Sequence, residues 1–188
     1  GYNVLATGEM GIGNTTTSSA VCSVLLDQSV EKVTGKGAGL TNKDLEHKIE
    51  VIRQSIALNK VNADDPLDVL AKVGGLDIAG MAGCYIGGAA LNIPVFIDGF
   101  ISSVAALIAI RLVPECAPYL FPSHCSNEPA GRMILDAIGK QPYIFANMCL
   151  GEGTGAVMGF TIADYAFKAY WELPSFEQTN FGTYEELN

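Results

Sequence analysis

Short unbroken apolar runs recur along the chain, each followed by a glycine-rich or polar loop and then by a longer stretch with helical spacing. Residues 2–7 (YNVLAT) predict a strand, 8–14 (GEMGIGN) a tight turn, and 15–26 (TTTSSAVCSVLL) a helix whose opening hydroxyl residues can cap it. Strand, glycine turn and helix make the opening of a βα unit. Residues 32–40 (KVTGKGAGL) form a second glycine-rich loop. Thr41, Asn42 or Asp44 then caps a helix through Leu58, with Leu45, Ile49, Ile52 and Ile56 as its buried stripe. Asp64, Asp65 and Pro66 open a helix that runs to Lys72 and is ended by Gly74 and Gly75. The small-residue-rich stretch 77–90 (DIAGMAGCYIGGAA) predicts a helix packed close to its neighbours.

Residues 94–98 (PVFID) are apolar on both faces, as in the central strand of a parallel sheet, and Gly99 turns the chain into a helix over 101–111. The run 95–112 is the one membrane candidate by length. Asp98 and Gly99 interrupt it and Pro94 precedes it, so it reads as a buried strand followed by a buried helix. Residues 119–122 and 144–149 predict further strands, 131–139 a short helix and 156–171 the last long helix. From Pro174 the chain turns polar and aromatic, which divides it into a domain over 1–173 and a surface tail over 174–188. The alternation predicts an α/β domain with a mainly parallel sheet. In such sheets ligands lie in the crevice at the carboxyl ends of the strands. That singles out four loops: GEMGIGN, IDGF, SHCSNEP and LGEGTG.

Composition narrows the function. The 188 residues suit one domain, and 49% hydrophobic against 16% charged residues excludes a disordered chain. A net charge of −9 without clustered Lys or Arg argues against nucleic-acid binding. Five scattered cysteines (Cys22, Cys84, Cys116, Cys125, Cys149), odd in number and without a CxxC pair, read as reduced and mostly buried in a cytoplasmic protein. His47 and His124 offer no zinc-ligand spacing with them, so no metal is expected. Residues 1–7 are too short for a signal peptide and have no basic stretch before them. The chain opens without Met directly on a strand-like segment, which reads as a piece of something longer.

GEMGIGNT at 8–15 nearly matches the phosphate-loop pattern G-x-x-x-x-G-K-[ST], but Asn14 stands at the lysine position, which disfavours an NTPase. Its glycines still free backbone N–H groups at a helix N-terminus for one phosphate or another anion; an ordinary tight βα turn is the other reading. Glu9 and Glu152 each sit among glycines in a loop after an apolar run. A carboxylate desolvated there gains basicity, which suits a general base, whereas a solvated surface Glu does nothing of the kind. Asp98 ends a buried strand and either contacts a ribose hydroxyl or caps the helix that follows it. Ser123, His124 and Ser126 can donate to a phosphate; His124 reads as a loop hydrogen-bonder, and no G-x-S-x-G elbow supports a hydrolase. Lys48, on a helix, is by default a solvated lysine.

Together these motifs carry a resemblance. GEMGIGNTT, TGKGAGL with Lys48 downstream, GGLDIAGMAG, PVFIDGFISSVAAL, SHCSNEP and LGEGTGA, in this order over nearly the whole chain, resemble the nicotinate-nucleotide:dimethylbenzimidazole phosphoribosyltransferases. Members of that family are roughly twice as long, so the chain resembles their C-terminal half. The resemblance implies a Rossmann-like α/β domain with a small helical domain, assembled as a homodimer, acting on nicotinate mononucleotide and a benzimidazole base in cobalamin lower-ligand assembly. It implies Glu152 as the general base that takes the ring N–H proton, and Glu9, Gly11, Lys48, Asp98, Gly99 and Ser126 around the nucleotide. Lys48 and Ser126, with the Gly11 and Gly99 N–H groups, would hold the phosphate; Glu9 and Asp98 would lie near the ribose or nicotinate. It implies no metal or redox cofactor, because the reaction asks for positioning and proton removal. A nucleotide-binding but inactive fragment or regulatory domain is the alternative.

Overall fold

A computed structural model describes residues 1–179. The expected α/β architecture is present: a three-stranded, all-parallel sheet in sequential order, covered by helices. The strands are β1 (Leu5–Ala6), β2 (Val95–Ile97) and β3 (Leu120–Pro122). Val95, Phe96 and Ile97 are all buried, which explains the unbroken apolar run of the central strand. Register is set by pairing Leu5 with Val95 on one side and Val95 with Leu120 on the other. β1 is shorter than expected because it is an edge strand whose preceding residues, Tyr2 to Val4, lie exposed.

Between β1 and β2 run five helices: α1 (Asn14–Leu26), α2 (Val30–Val33), α3 (Asn42–Asn59), α4 (Pro66–Val73) and α5 (Leu76–Ala90). Then come α6 (Phe100–Leu112), a 3-10 turn at Pro114–Tyr119, β3, α7 (Gly131–Ala137) and α8 (Thr154–Glu172). α6 is apolar almost all round because it is buried almost all round, against α1, α4, α5 and α7. The membrane-length run 95–112 is thus a strand and a core helix, and no described helix is long and apolar enough to cross a membrane.

Several expectations are corrected. α1 carries no hydroxyl cap: Gly13, at φ +82°, occupies the cap position, and no side chain bonds the first-turn N–H groups. α3 is capped by Thr41, whose hydroxyl accepts from the Asp44 N–H at 3.2 Å. Its buried face centres on Lys48 and Ile52, while Leu45, Ile49 and Ile56 are only half-buried. The stretch 144–149 is not a strand. Cys125 N–H reaches the Ile144 carbonyl at 3.1 Å and Asn127 N–H the Met148 carbonyl at 2.9 Å. Two residues on one side therefore span four on the other, and Asn147 at φ +50° takes up the excess, so the ladder stops at one bridge, His124 to Ile144. Of the five unpaired cysteines, only Cys22 and Cys116 are buried; Cys84 and Cys149 are exposed. The tail expected over 174–188 is exposed as far as residue 178, and 180–188 lie outside the described residues.

Glycine positions separate into two kinds. An added Cβ at Gly155 would run into the His124 ring and stand 2.8 Å from an Asp98 carboxylate oxygen, whereas at Gly80 it meets nothing within 4 Å. Gly155→Ala should therefore destabilise the fold by about 1–3 kcal/mol through overpacking. Gly80→Ala, in the interior of α5, should stabilise it by about 0.5–1 kcal/mol. Urea unfolding of the two variants beside the parent checks both signs.

Candidate active site

The carboxyl ends of β1 and β2, with the loops that follow them and the loops before α3, α7 and α8, enclose a cavity of about 600 Å³. Of the seven site residues expected from sequence, six line it: Glu9, Gly11, Asp98, Gly99, Ser126 and Glu152. Lys48 does not. It is buried on α3, where its Nζ donates to Thr15 Oγ1 at 2.9 Å and to the Gly35 carbonyl at 3.0 Å. Burial pushes the Lys48 ammonium below its ordinary pKa, and the charge of Glu128 opposes this. The solvated reading of this lysine is thereby corrected: Thr15, not Lys48, stands at the cavity wall.

Asp98 is 1% exposed, lines the cavity and does not cap its own helix. Its carboxylate accepts from the N–H groups of Gly153 at 2.9 Å, Gly155 at 2.8 Å and Ala156 at 3.3 Å, the first turn of α8. This fastens the end of β2 to the loop carrying Glu152, where the positive end of a helix dipole favours an anion. His124, also buried, lies with Nδ1 3.8 Å from the same carboxylate and 3.1 Å from Ser123 Oγ. The Ser123 hydroxyl proton goes to the Ile97 carbonyl at 2.8 Å, so Nδ1–H donates to Ser123 and Nε2 is left as an acceptor beside Gly99. Ser123 is thus not free to bind a phosphate, and His124 is a hydrogen-bonder, as its loop position suggested.

The two glutamate loops touch. Glu152 N–H donates to the Glu9 carbonyl at 2.9 Å, and an added Cβ at Gly8 would stand 2.6 Å from the Gly153 Cα. Glu152 itself sits at φ +60° between Gly151 at φ +76° and Gly153 at φ +81°. A non-glycine residue in this region costs about 1–2 kcal/mol, a strain typical of functional turns. Glu152 is exposed and Glu9 half-buried, so the desolvation expected of both is not supplied by this chain alone. The Glu9 carboxylate accepts from the Gly11 N–H at 3.3 Å, which occupies the donor expected for a phosphate.

The opposite wall is the start of α6. Gly99 caps it without a side chain, no acidic residue lies in its first turn, and Phe100, Ile101 and Ser102 line the cavity. Ser126 and Glu128 complete that side, the Ser126 hydroxyl accepting from the Glu128 N–H at 3.3 Å. No Lys or Arg lines the cavity among the described residues, and no three described His, Cys, Asp or Glu side chains are placed to hold a metal ion. Sequence reading did not single out Thr15 and Glu128. The available signals were the hydroxyl position of the near phosphate-loop motif and the acid inside SHCSNEP.

A cavity bordered by carboxylates and by the start of α6, at the carboxyl edge of a parallel sheet, lies where α/β folds of this kind bind ligands. The chain belongs to the phosphoribosyltransferase family whose sequence profile matches residues 1–181. Within that family it is 52% identical over its whole length to the nicotinate-nucleotide–dimethylbenzimidazole phosphoribosyltransferase of Ruminiclostridium cellulolyticum, of which it spans 53%. It is 50% identical over 98% of its length to the protein of the same name from Acetivibrio thermocellus, again spanning 53% of it. The crystal structure of CobT from Thermus thermophilus superposes with a TM-score of 0.90 at 34% identity, over 97% of this chain and 54% of that one. The chain therefore spans about half the length of the curated relatives it matches.

Burial pushes the His124 imidazole below its ordinary pKa, the charge of Asp98 partly opposing. Below about pH 6.5 the unfolded chain then binds a proton that the folded chain refuses, so stability present above that pH is lost on acidification. Between about pH 7.5 and 5.5 the parent should lose more stability than His124→Asn, measured by urea unfolding at each pH. Parallel profiles would refute the assignment.

Proposed function

We propose that the full-length protein transfers the phosphoribosyl group of nicotinate mononucleotide to 5,6-dimethylbenzimidazole or a related base, giving α-ribazole 5′-phosphate and nicotinate in cobalamin lower-ligand assembly. The observation that carries this reading is Glu152, held in left-handed backbone between two glycines at the rim of a cavity whose far wall is an uncapped helix start. Family membership and the names of its relatives support it.

In this reading the Glu152 carboxylate takes the ring N–H proton of the base. The lone pair of the other ring nitrogen forms the new bond to C1′ as the C1′–nicotinate bond breaks, and the departing electron pair neutralises the pyridinium nitrogen. Attack from the face opposite the leaving group inverts C1′. The base and the rest of the full-length protein cover Glu152 and supply the desolvation that strengthens a carboxylate as a base. The phosphate lies against the first-turn N–H groups of α6 and the Ser126 hydroxyl, where helix dipole and unpaired donors suit an anion. Glu9, bound to Gly11, shapes its loop and faces the ribose. Asp98 acts on Glu152 through the backbone of its loop.

Homodimeric assembly in the cytoplasm belongs to the same reading. Tyr165, Phe167, Tyr170 and Trp171 of α8 are each more than 60% exposed, an apolar surface that supports a covering partner. The unpaired cysteines suit a reducing compartment.

Glu152→Gln keeps the backbone and removes the base. In the full-length protein it should lower turnover by about 10²- to 10⁴-fold while leaving the circular dichroism spectrum and nicotinate mononucleotide affinity near those of the parent. An unchanged rate at neutral pH removes Glu152 from the role.

A further inference from the structure

We infer that Tyr85 is a positioning residue for this site: its phenol bridges the end of β1 to the start of α6 and so fixes the gap between the glutamate rim and the α6 wall. The consequence for turnover rests on the phosphoribosyl reading, whereas the bridge itself does not.

Tyr85 is the one aromatic residue of α5, in a stretch of small residues. That smallness lets the helix reach the sheet. An added Cβ at Gly88 would run into the Val95 side chain, so α5 lies directly against β2. Tyr85 is fully buried there, its hydroxyl 2.6 Å from Thr7 Oγ1 and 3.1 Å from the Ser102 carbonyl. Proton counting orders these bonds. The phenol has one proton, which goes to the carbonyl, a group that can only accept; the Thr7 hydroxyl therefore donates to the phenol oxygen. Burial pushes the Tyr85 phenol above its ordinary pKa, so it stays protonated and keeps both roles.

The two ends of the bridge are two walls of the cavity. Thr7 directly precedes Gly8 and Glu9, and the Glu9 carbonyl receives the Glu152 N–H at 2.9 Å. Ser102 is the third residue of α6 and lines the cavity. β1 is a two-residue edge strand with exposed residues before it, so it has little ladder of its own to hold the rim. The bond from the Thr7 N–H to the Phe96 carbonyl at 3.1 Å sets its height on the sheet but not its distance from α6. The phenol sets that distance, in buried surroundings where a hydrogen bond is strong. Removing either hydroxyl still leaves the other a partner: Thr7 has the Phe96 carbonyl at 3.4 Å, and the phenol has Ser102. Single variants therefore strand no buried polar group and should fold.

The test compares the full-length parent with Tyr85→Phe, Thr7→Val, the double variant and Thr7→Ser, by steady-state kinetics and by hydrogen exchange followed with mass spectrometry. Tyr85→Phe and Thr7→Val should each lower kcat about tenfold and leave KM for nicotinate mononucleotide within about twofold, since misplacing reacting groups by ~1 Å can cost ~10²-fold. The double variant should be no slower than the slower single variant, because both remove the same bond. Thr7→Ser should restore the rate. Amides of residues 8–13 and 150–153 should exchange about two- to tenfold faster in Tyr85→Phe, the worth of one hydrogen bond, while those of β2 and the second half of α6 keep the parent's rates. Thr7→Val carries the same test if Tyr85→Phe does not fold. An unchanged kcat overturns the proposal, as do multiplicative losses in the double variant. Exchange that quickens equally in rim and core also overturns it, because it marks Tyr85 as merely structural. A parent without transferase activity whose rim exchange still responds selectively overturns the phosphoribosyl reading and sustains the bridge.

Discussion

One buried carboxylate organises this site. Asp98 is nearly inaccessible, has no Lys or Arg partner among the described residues, and is stabilised by three backbone N–H groups at the start of α8. Burying an unpaired carboxylate costs several kcal/mol, and charge-assisted bonds to N–H groups at a helix N-terminus offset that cost. Much follows from this attachment. Position 155 must be glycine because the His124 ring and Asp98 lie against it, and Gly8 must be bare because Gly153 is drawn onto it. The backbone of Glu152 then reaches that of Glu9, so two loops about 140 residues apart become one rim.

The anion site proposed for this cavity has unusual electrostatics in a chain of net charge −9. Four carboxylates lie at its wall, and positive potential comes from helix starts and hydroxyls rather than from cations. This division has a chemical use under the proposed reaction. A cation beside a carboxylate stabilises its anionic form and weakens it as a base. With the proposed anion-binding donors on the α6 wall and Lys48 buried on α3, no Lys or Arg among the described residues lines the cavity beside Glu152.

The longer helices, the central strand and the four loops that build the cavity were legible in the sequence because each rests on local signals, whereas the single turn α2, which takes in Lys32 and Val33 of the expected glycine-rich loop, was not. Thr41 and the pair Asp65 and Pro66 mark helix starts, and the apolar run from Val95 needs both faces buried. What was illegible depends on partners far along the chain. Nothing near Asp98 shows that it caps α8 rather than α6, and nothing near Lys48 shows that its head is buried against Thr15 and Gly35. Residues 144–149 have strand composition, but the pairing fails on a two-residue mismatch that only the register with 125–127 reveals. Six of the seven expected site residues line one cavity because GEMGIGN, IDGF, SHCSNEP and LGEGTG all sit after strands or bridges at the same sheet edge.

The central claim is that this cavity holds a ribose phosphate against the α6 start with its C1′ toward Glu152. A crystal structure of the full-length protein soaked with nicotinate mononucleotide tests it most directly. The account predicts the phosphate within hydrogen-bond distance of the α6 first-turn N–H groups and the glycosidic carbon facing the Glu152 carboxylate across room for a bicyclic base. A nucleotide bound outside this cavity, or bound with its phosphate at the Glu152 rim and its C1′ turned away, would contradict it.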